Sequence, residues 1–391
     1  MPAIDRVDTI IKYLVLAFAA VMGFTRGGIH TVVWLLFVAA AIRYFWRPFP
    51  IVPDKNLRRA VLVFFAALLL AAAFSGDKAA SLKYIGLTAV KILPLVIVVA
   101  FVRERKLCEQ AVVLMAGSMF GGAAIVIWQG LHDPGRIKGL LGVMDFAGIV
   151  GLLVPVLLVK GLDETTASPK RLLFLTAAVA AMAAMMFNGT RAVWVTVIVT
   201  CVLYVIISLI INGKKSIKAT SIVCAMLLTI TLAFAYIPSL NARLHTITDT
   251  NFRSNRERIV MWQYAVNVFK DHSLLGVGPA TLPALAMSPA EEEKRKYKPY
   301  GHVHNNVLQL AAESGIIGGL AYFFLFFTIL KNAAVKMRQV ATRSWALIAF
   351  LCTTDFLLHG MFDYILGIPT IMYSYWFIIG LAYVNFSTET Q

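Results

Sequence analysis

Charge is what this sequence has least of. Only 14% of its 391 residues are Asp, Glu, Lys or Arg. A water-soluble domain carries about a quarter, so this chain cannot coat itself with a hydrated surface. Acid is the scarcer sign, with 20 carboxylates against 36 Lys and Arg. Cysteine is sparse as well. Cys108, Cys201, Cys224 and Cys352 show no C-x-x-C spacing, which supports neither a metal site nor a disulfide framework. All four fall in or beside apolar runs, where they read as small buried residues. The glycines of Leu274-Leu275-Gly276-Val277-Gly278-Pro279 follow no strand and open no G-x-G-x-x-G or Walker pattern, so a nucleotide loop is excluded and a tight turn back towards the membrane is expected. Short alternating strands are missing, which excludes an outer-membrane barrel. No internal repeat supports an inverted-repeat transporter.

What is present is hydrocarbon. Apolar residues make up 59% of the chain and the mean hydropathy is +0.77. The apolar runs match the roughly 20 residues that a helix needs to cross about 30 Å of lipid, and backbone inside lipid must satisfy itself as helix. The runs predict an all-α polytopic membrane protein with 12 spans, at 8–25, 29–46, 58–74, 84–102, 108–130, 143–160, 172–187, 190–211, 219–237, 303–330, 344–360 and 364–385. Lys91 and Pro94 interrupt the fourth. The first resembles a signal peptide, but a second span follows within a few residues, so it reads as a retained helix. Three regions result: an N-terminal bundle at 1–237, a partly helical loop at 238–302 between spans nine and ten, and C-terminal spans at 303–391.

With an inward N-terminus, 20 Lys and Arg fall on the inner side against six in the short outer loops. The positive-inside rule then places both termini in the cytoplasm and the large loop outside. All seven histidines map to the outer half, which hints at polar chemistry on that face.

The loop segment from Ser254 to Lys270 repeats Ile259, Trp262, Val266 and Phe269 at helical spacing, predicting an amphipathic helix. Arg258 stands at the edge of its apolar face. It reads either as a snorkelling cation or, with Arg253 and Arg256, as a phosphate grip, because guanidinium forks suit phosphate oxygens. His302, Asn306, Gln309 and Glu313 form one polar stripe on an otherwise apolar helix, so they face a cavity or the bundle interior. His304 joins His302 at one site only if His302 still belongs to the loop. Either a structural histidine or a general base fits. Arg191 opens a span after Asn188-Gly189-Thr190 and needs a partner there, either Asp355 or an anionic ligand. The Asn188 sequon carries little weight at a span boundary. The run Glu291-Glu292-Glu293-Lys294-Arg295-Lys296 reads as a solvated helix end or hinge.

Thr190-Arg191-Ala192, Arg258 with Met261-Trp262, Leu275 to Pro279, and His302-x-His304-Asn305 with Glu313-x-Gly315 and Gly318 together resemble the O-antigen ligase family of the bacterial inner membrane. Members share their C-terminal half with O-antigen polymerases and some protein O-glycosyltransferases. The resemblance covers about residues 185–330, and the N-terminal spans match in hydrophobicity alone. It implies a Gram-negative glycosyltransferase. The enzyme would move O-antigen from undecaprenyl diphosphate to the lipid A–core oligosaccharide at the periplasmic face, with inversion. Under it, Arg191 and Arg258 face the diphosphate with Arg253, Arg256 and Asn305 as further binding residues, and His304 is the base with His302 assisting. No outer DxD pair or His/Asp/Glu ligand cluster is visible, so no metal or cofactor is expected. The partners would be the two glycolipids and membrane lipid, with no nucleic acid. O-antigen polymerases often place Gly eleven positions after an outer-loop Arg. Ala147, Ser254, Tyr264, Asn267, Phe269 and Asn306 stand there instead, which favours ligase over polymerase or protein O-oligosaccharyltransferase. A transporter would spread its polar residues through the midplane, whereas here they gather at one face.

Overall fold

The computed structural model describes residues 3–49, 54–133, 135–282 and 302–384. Among them every regular element is helical. The first nine helices are α1 (Ala3–Val21), α2 (Arg26–Trp46), α3 (Lys55–Ala73), α4 (Lys78–Phe101), α5 (Arg105–His132), α6 (Val143–Leu162), α7 (Ser168–Asn188), α8 (Arg191–Asn212) and α9 (Ile217–Tyr236). The loop region contributes α10 (Pro238–His245) and α11 (Arg253–Asp271), and α12 (Asn306–Lys336), α13 (Arg343–His359) and α14 (Pro369–Tyr383) follow. The acidic run Glu291 to Lys296 lies outside the described residues.

Each of the twelve intervals predicted as spans falls on a helix of its own, because length and apolarity are local properties. Nine stretches of the described residues are long and apolar enough to cross a membrane, and one of them, Arg191–Tyr236, holds both α8 and α9. The 19-residue α1 and the 15-residue α14 are not in that set. Side chains such as Trp34, Phe45, Leu62, Leu131, Leu172, Ile210 and Phe327 stand exposed on the bundle's outside. That much apolar surface suits lipid and would be a liability in water. The chain is therefore a polytopic, all-helical membrane protein.

Helix α6 sits at the centre, buried on every side from Asp145 to Val159. It packs against α7, α8 and α13, while α3 lies along α12 and α4 along α14. Lys91 stays inside α4 and donates to the Leu366 carbonyl at 2.7 Å, so its ammonium has a partner within the bundle. Three cysteines are buried as expected. Cys224 is exposed on α9, a helix with few buried residues.

The start of α12 departs from the predicted span. The helix begins at Asn306 and not at 303, because Asn305 caps it: the Asn305 side-chain oxygen accepts from the Val307 and Leu308 amides at 2.9 and 3.0 Å. His302 and His304 thus belong to the preceding loop. About two and a half turns further on, Gly315 adopts φ 62°, ψ −164° and breaks α12. The freed backbone is taken up by the Leu274–Pro279 segment. Val277 donates to the Ala312 carbonyl at 3.1 Å, Gly278 to the Glu313 carbonyl at 2.9 Å, and Ile316 to the Ser273 carbonyl at 2.8 Å. A Cβ on Gly315 would stand 2.2 Å from the Leu274 oxygen, and one on Gly276 would stand 2.3 Å from the Glu313 carbonyl carbon. Both glycines let two backbones touch. Glu313 is buried beneath this junction, held by Gln309 Nε2 at 2.7 Å and by the Ala280 and Leu282 amides.

Candidate functional site

The loop before α12 carries the two histidines to the end of α13. Asn305 Nδ2 donates to the Met361 carbonyl at 2.9 Å and the Asn306 amide to the Gly360 carbonyl at 2.7 Å. Val303 is pinned from both sides, its carbonyl accepting from Trp262 Nε1 and its amide donating to Gln309 Oε1, each at 2.9 Å. These bonds force His304 to φ 51°, a conformation costly for a branched-ring side chain and common where function demands it. Its ring then meets a residue 59 positions away: His304 Nδ1 lies 2.8 Å from Asp363 Oδ1. The His302 ring packs edge-on against His304, with centroids 4.3 Å apart. His302 Nδ1 is buried without a hydrogen-bond partner among the described residues.

Asp363 is 2% exposed. Burial opposes its charge, yet the His304 hydrogen bond and the nearby His304, His359 and Arg258 charges hold its carboxyl below the usual range. The second oxygen lies 4.0 Å from Arg258 Nη2. His302 is also shifted downward, which for an imidazole favours the neutral form. Desolvation, then the neighbouring His304, disfavour its protonated form and hold its pKa below the ordinary 6.5. His359, on the last turn of α13, is buried with neither ring nitrogen paired among the described residues.

Around this pair stands a group of arginines. Arg136, from the loop between α5 and α6, donates to Thr190 Oγ1 at 3.0 Å. Thr190 in turn donates to Asn188 Oδ1 at 2.6 Å, and Asn188 Nδ2 holds the Ile137 and Val143 carbonyls. Asn188 is fully buried, so the sequon is a packing device. Arg243 donates to the Gly189 carbonyl at 2.8 Å. The charges that act on Arg191 are those of Arg258, Arg243 and Arg136, and Arg136 is opposed by Arg243 and Arg258 and favoured by Asp363. Four guanidiniums thus share one neighbourhood with one carboxylate.

Arg191 is engaged more fully than its sequence position suggests. Nη1 donates to the Thr246 carbonyl and to Thr246 Oγ1, Nη2 reaches Asn255 Oδ1 at 2.8 Å, and the guanidinium stacks 4.8 Å over the Phe252 ring. Its expected carboxylate, Asp355, is not its partner. Asp355 lies deeper in the bundle, bonded to Thr196, more than one turn along α8 from Arg191. Asn305 acts as a helix cap. Arg253 Nε pairs with Glu257 at 2.9 Å and Arg256 is exposed. Helix α11 is amphipathic as predicted, but its fully buried stripe is Met261 and Ala265, with Trp262 and Val268 packed beside them. The apolar face is rotated slightly from the expected one because α11 packs on α12 and the Val303 loop rather than on lipid alone.

The fold also makes what the sequence lacks. His302, His304 and Asp363 bring one ligand atom each within 4.8 Å of one another, the geometry of a possible metal site. The cluster is invisible in sequence because its carboxylate comes from the turn after α13. The acidic residue that matters is the last in Cys352-Thr-Thr-Asp-Phe-Leu-Leu-His-Gly-Met-Phe-Asp363 and not Asp355.

Residues 172–323 match the family model described as O-antigen ligase. The matched segment runs from α7 through the Gly315 break, so it includes Arg191, Arg243, Arg258, His302 and His304 but neither Arg136 nor Asp363. A Rickettsia conorii protein named "putative polysaccharide ligase" is 26% identical over 115 residues, covering 28% of this chain and 27% of that protein. A Rickettsia felis protein of the same name is 25% identical over 115 residues, with the same coverage. The chain thus matches about a quarter of the length of these curated relatives.

Proposed function

We propose, from the O-antigen ligase match of the segment that holds the histidines, that this chain is an inner-membrane glycosyltransferase. It transfers O-antigen polysaccharide from undecaprenyl diphosphate to the lipid A–core oligosaccharide. In this reading the twelve helices all span, the termini are cytoplasmic, and the loop between the ninth and tenth spans lies in the periplasm of a Gram-negative cell. The observation that carries the reading is the His304–Asp363 pair set beside four arginines.

The chemistry follows from the proton and the charge. Asp363 is held as a carboxylate, so His304 Nδ1 is the donor in their bond and Nε2 is left with its lone pair. Nε2 takes the proton of the acceptor hydroxyl as that oxygen attacks the anomeric carbon. The bond from that carbon to the diphosphate oxygen breaks with its electron pair, and the anomeric configuration inverts. Negative charge grows on the leaving diphosphate, where Arg258, Arg136 and the outer edge of Arg191 face it. Asp363 stabilises the imidazolium, and the His302 ring fixes the plane of its neighbour. A divalent cation held by His302, His304 and Asp363 is the competing account of the same three groups. The surrounding guanidiniums repel such a cation, which favours the metal-free reading.

The test is transfer by the purified protein, given lipid-linked O-antigen and rough lipopolysaccharide. Wild type should ligate in chelator, and His304→Ala should not ligate at all. Full activity of His304→Ala removes the base, and rescue from chelator only by Mg²⁺ or Mn²⁺ replaces the arginine account with the metal one. Elongation of the lipid-linked donor in place of ligation would make the chain a polymerase.

A further inference from the structure

A polar cavity lies at the end of the bundle opposite the histidine site. The arginine cluster stands at the start of α8 and the end of α13. The cavity opens where α6 and α8 end and α13 begins. It holds about 510 Å³, and Arg105, Lys160, Lys215 and Arg343 are among its walls. That volume is within the range of small-ligand sites. A smaller space of about 180 Å³ shares Arg105, Lys160, Asp163 and Trp345 with it.

Lys160 is the residue that needs explaining. It lies on the last turn of α6, half-buried, with its ammonium 4.1 Å from the centroid of the Trp345 ring. Among the described residues it has no hydrogen bond and no ion pair. Asp163 lines the same cavity and its charge favours the ammonium, but the two form no direct ion pair. One Asp163 oxygen accepts from the Thr165 amide and hydroxyl at 3.0 and 2.7 Å, and the other accepts from Ser344 Oγ at 2.6 Å. Arg343 spends two of its nitrogens on the Met337 carbonyl and Asn212 Oδ1, and Lys215 is exposed. Val159, Leu162, Ala219 and Leu347 give the cavity an apolar wall, while Glu164 and the Ser208 and Ser216 hydroxyls are among its polar lining. A half-buried ammonium is costly unless an anion meets it.

We propose that this cavity binds the phosphate of an anionic phospholipid headgroup, with Lys160 as its central contact and the apolar wall against the acyl chains. Basic pockets between helices are the recognised chemistry for such headgroups. Free phosphate offers the same charge but nothing for the apolar wall. The site takes no part in sugar transfer, and its test does not depend on that activity.

Native mass spectrometry of the full-length protein in mixed micelles reads the binding directly. Wild type should retain phosphatidylglycerol over phosphatidylcholine. Lys160→Gln and, separately, the exposed Lys215→Gln should each weaken that retention about fivefold, the worth of one basic side chain at a charged surface. Arg338→Gln removes an exposed cation beyond the cavity and should leave retention unchanged. Equal retention of the two lipids, no loss in either cavity variant, or an equal loss in Arg338→Gln would overturn the proposal. Inorganic phosphate competing as well as the lipid would overturn the lipid assignment and leave a phosphate site.

Discussion

His304 and Asp363 stand 59 positions apart in the chain and 2.8 Å apart in the fold, and the carboxylate has a second neighbour in Arg258, 4.0 Å from its other oxygen. One acid thus ties a histidine of the α12 loop to a cation of α11.

Asp363→Asn keeps the size of the side chain and removes its charge. The amide can present its NH₂ to Nδ1 and stabilise the wrong tautomer, and it cannot support an imidazolium. Turnover should fall by about 10²–10⁴-fold, with acceptor KM nearly unchanged and protein level intact. Steady-state transfer measures both, and a loss confined to KM would make Asp363 a binding residue instead.

Arg191 clasps the turn between α10 and α11. Asn255 completes that clasp, since its Nδ2 holds the Thr246 and Asp249 carbonyls at 2.8 Å. Lysine cannot reproduce the two-armed contact, so Arg191→Lys should cut transfer almost as far as Arg191→Ala. Asn255→Ala should cut it in part while raising amide exchange across residues 246–255. Wild-type activity with unchanged exchange in Asn255→Ala would leave the clasp without consequence and return Arg191 to a purely ligand-facing part.

Gly315→Ala places a methyl group 2.2 Å from the Leu274 oxygen at a positive φ. Strain alone costs about 1–3 kcal/mol, and the clash adds to it. A lower thermal midpoint and reduced yield are expected. Gly319→Ala, with open space at its Cβ, should be silent by both measures.

Acid should act through His302 before it acts through Asp363. The folded pKa of His302 lies below its ordinary 6.5, so the folded state binds this proton less readily than the unfolded one, and stability drops as pH falls below about 6.5. Asp363 is shifted downward as well, but in a lower pH range. Its contribution is complete above the ordinary 3.8 and disappears as pH falls through its lowered folded value. Melting curves between pH 7.5 and 4.5 should therefore slope less for His302→Asn than for wild type. Parallel slopes would mean that His302 does not carry the acid sensitivity.

The helices were legible in sequence because apolar length is written locally, and the amphipathic α11 was legible because its period is. Arg191 and His304 stand out in the sequence as polar residues at span starts, and Arg258 as a cation at the edge of the loop helix's apolar face; the fold brings them into one neighbourhood. Asp363 does not stand out, since its significance lies in a turn that only the packing of α12 on α13 brings to the histidine. Arg136 is one of the six short outer-loop cations and has no motif of its own. Its place beside Arg258 comes from the Asn188 and Thr190 bonds that draw its loop over α8. Asn305 sits inside the family motif, and the motif gives no sign that its side chain is spent on capping.

The tethers from Asn305 to Met361 and from Asn306 to Gly360 fasten the histidine loop to the far end of α13. His304 and Asp363 are therefore held together as one piece. Helix α11 reaches that piece through the Trp262–Val303 bond, the Met261 and Ala265 stripe and a 4.0 Å ion pair. Under the proposed function, a swing of α11 would carry Arg258 away from the leaving group while the proposed base keeps its carboxylate.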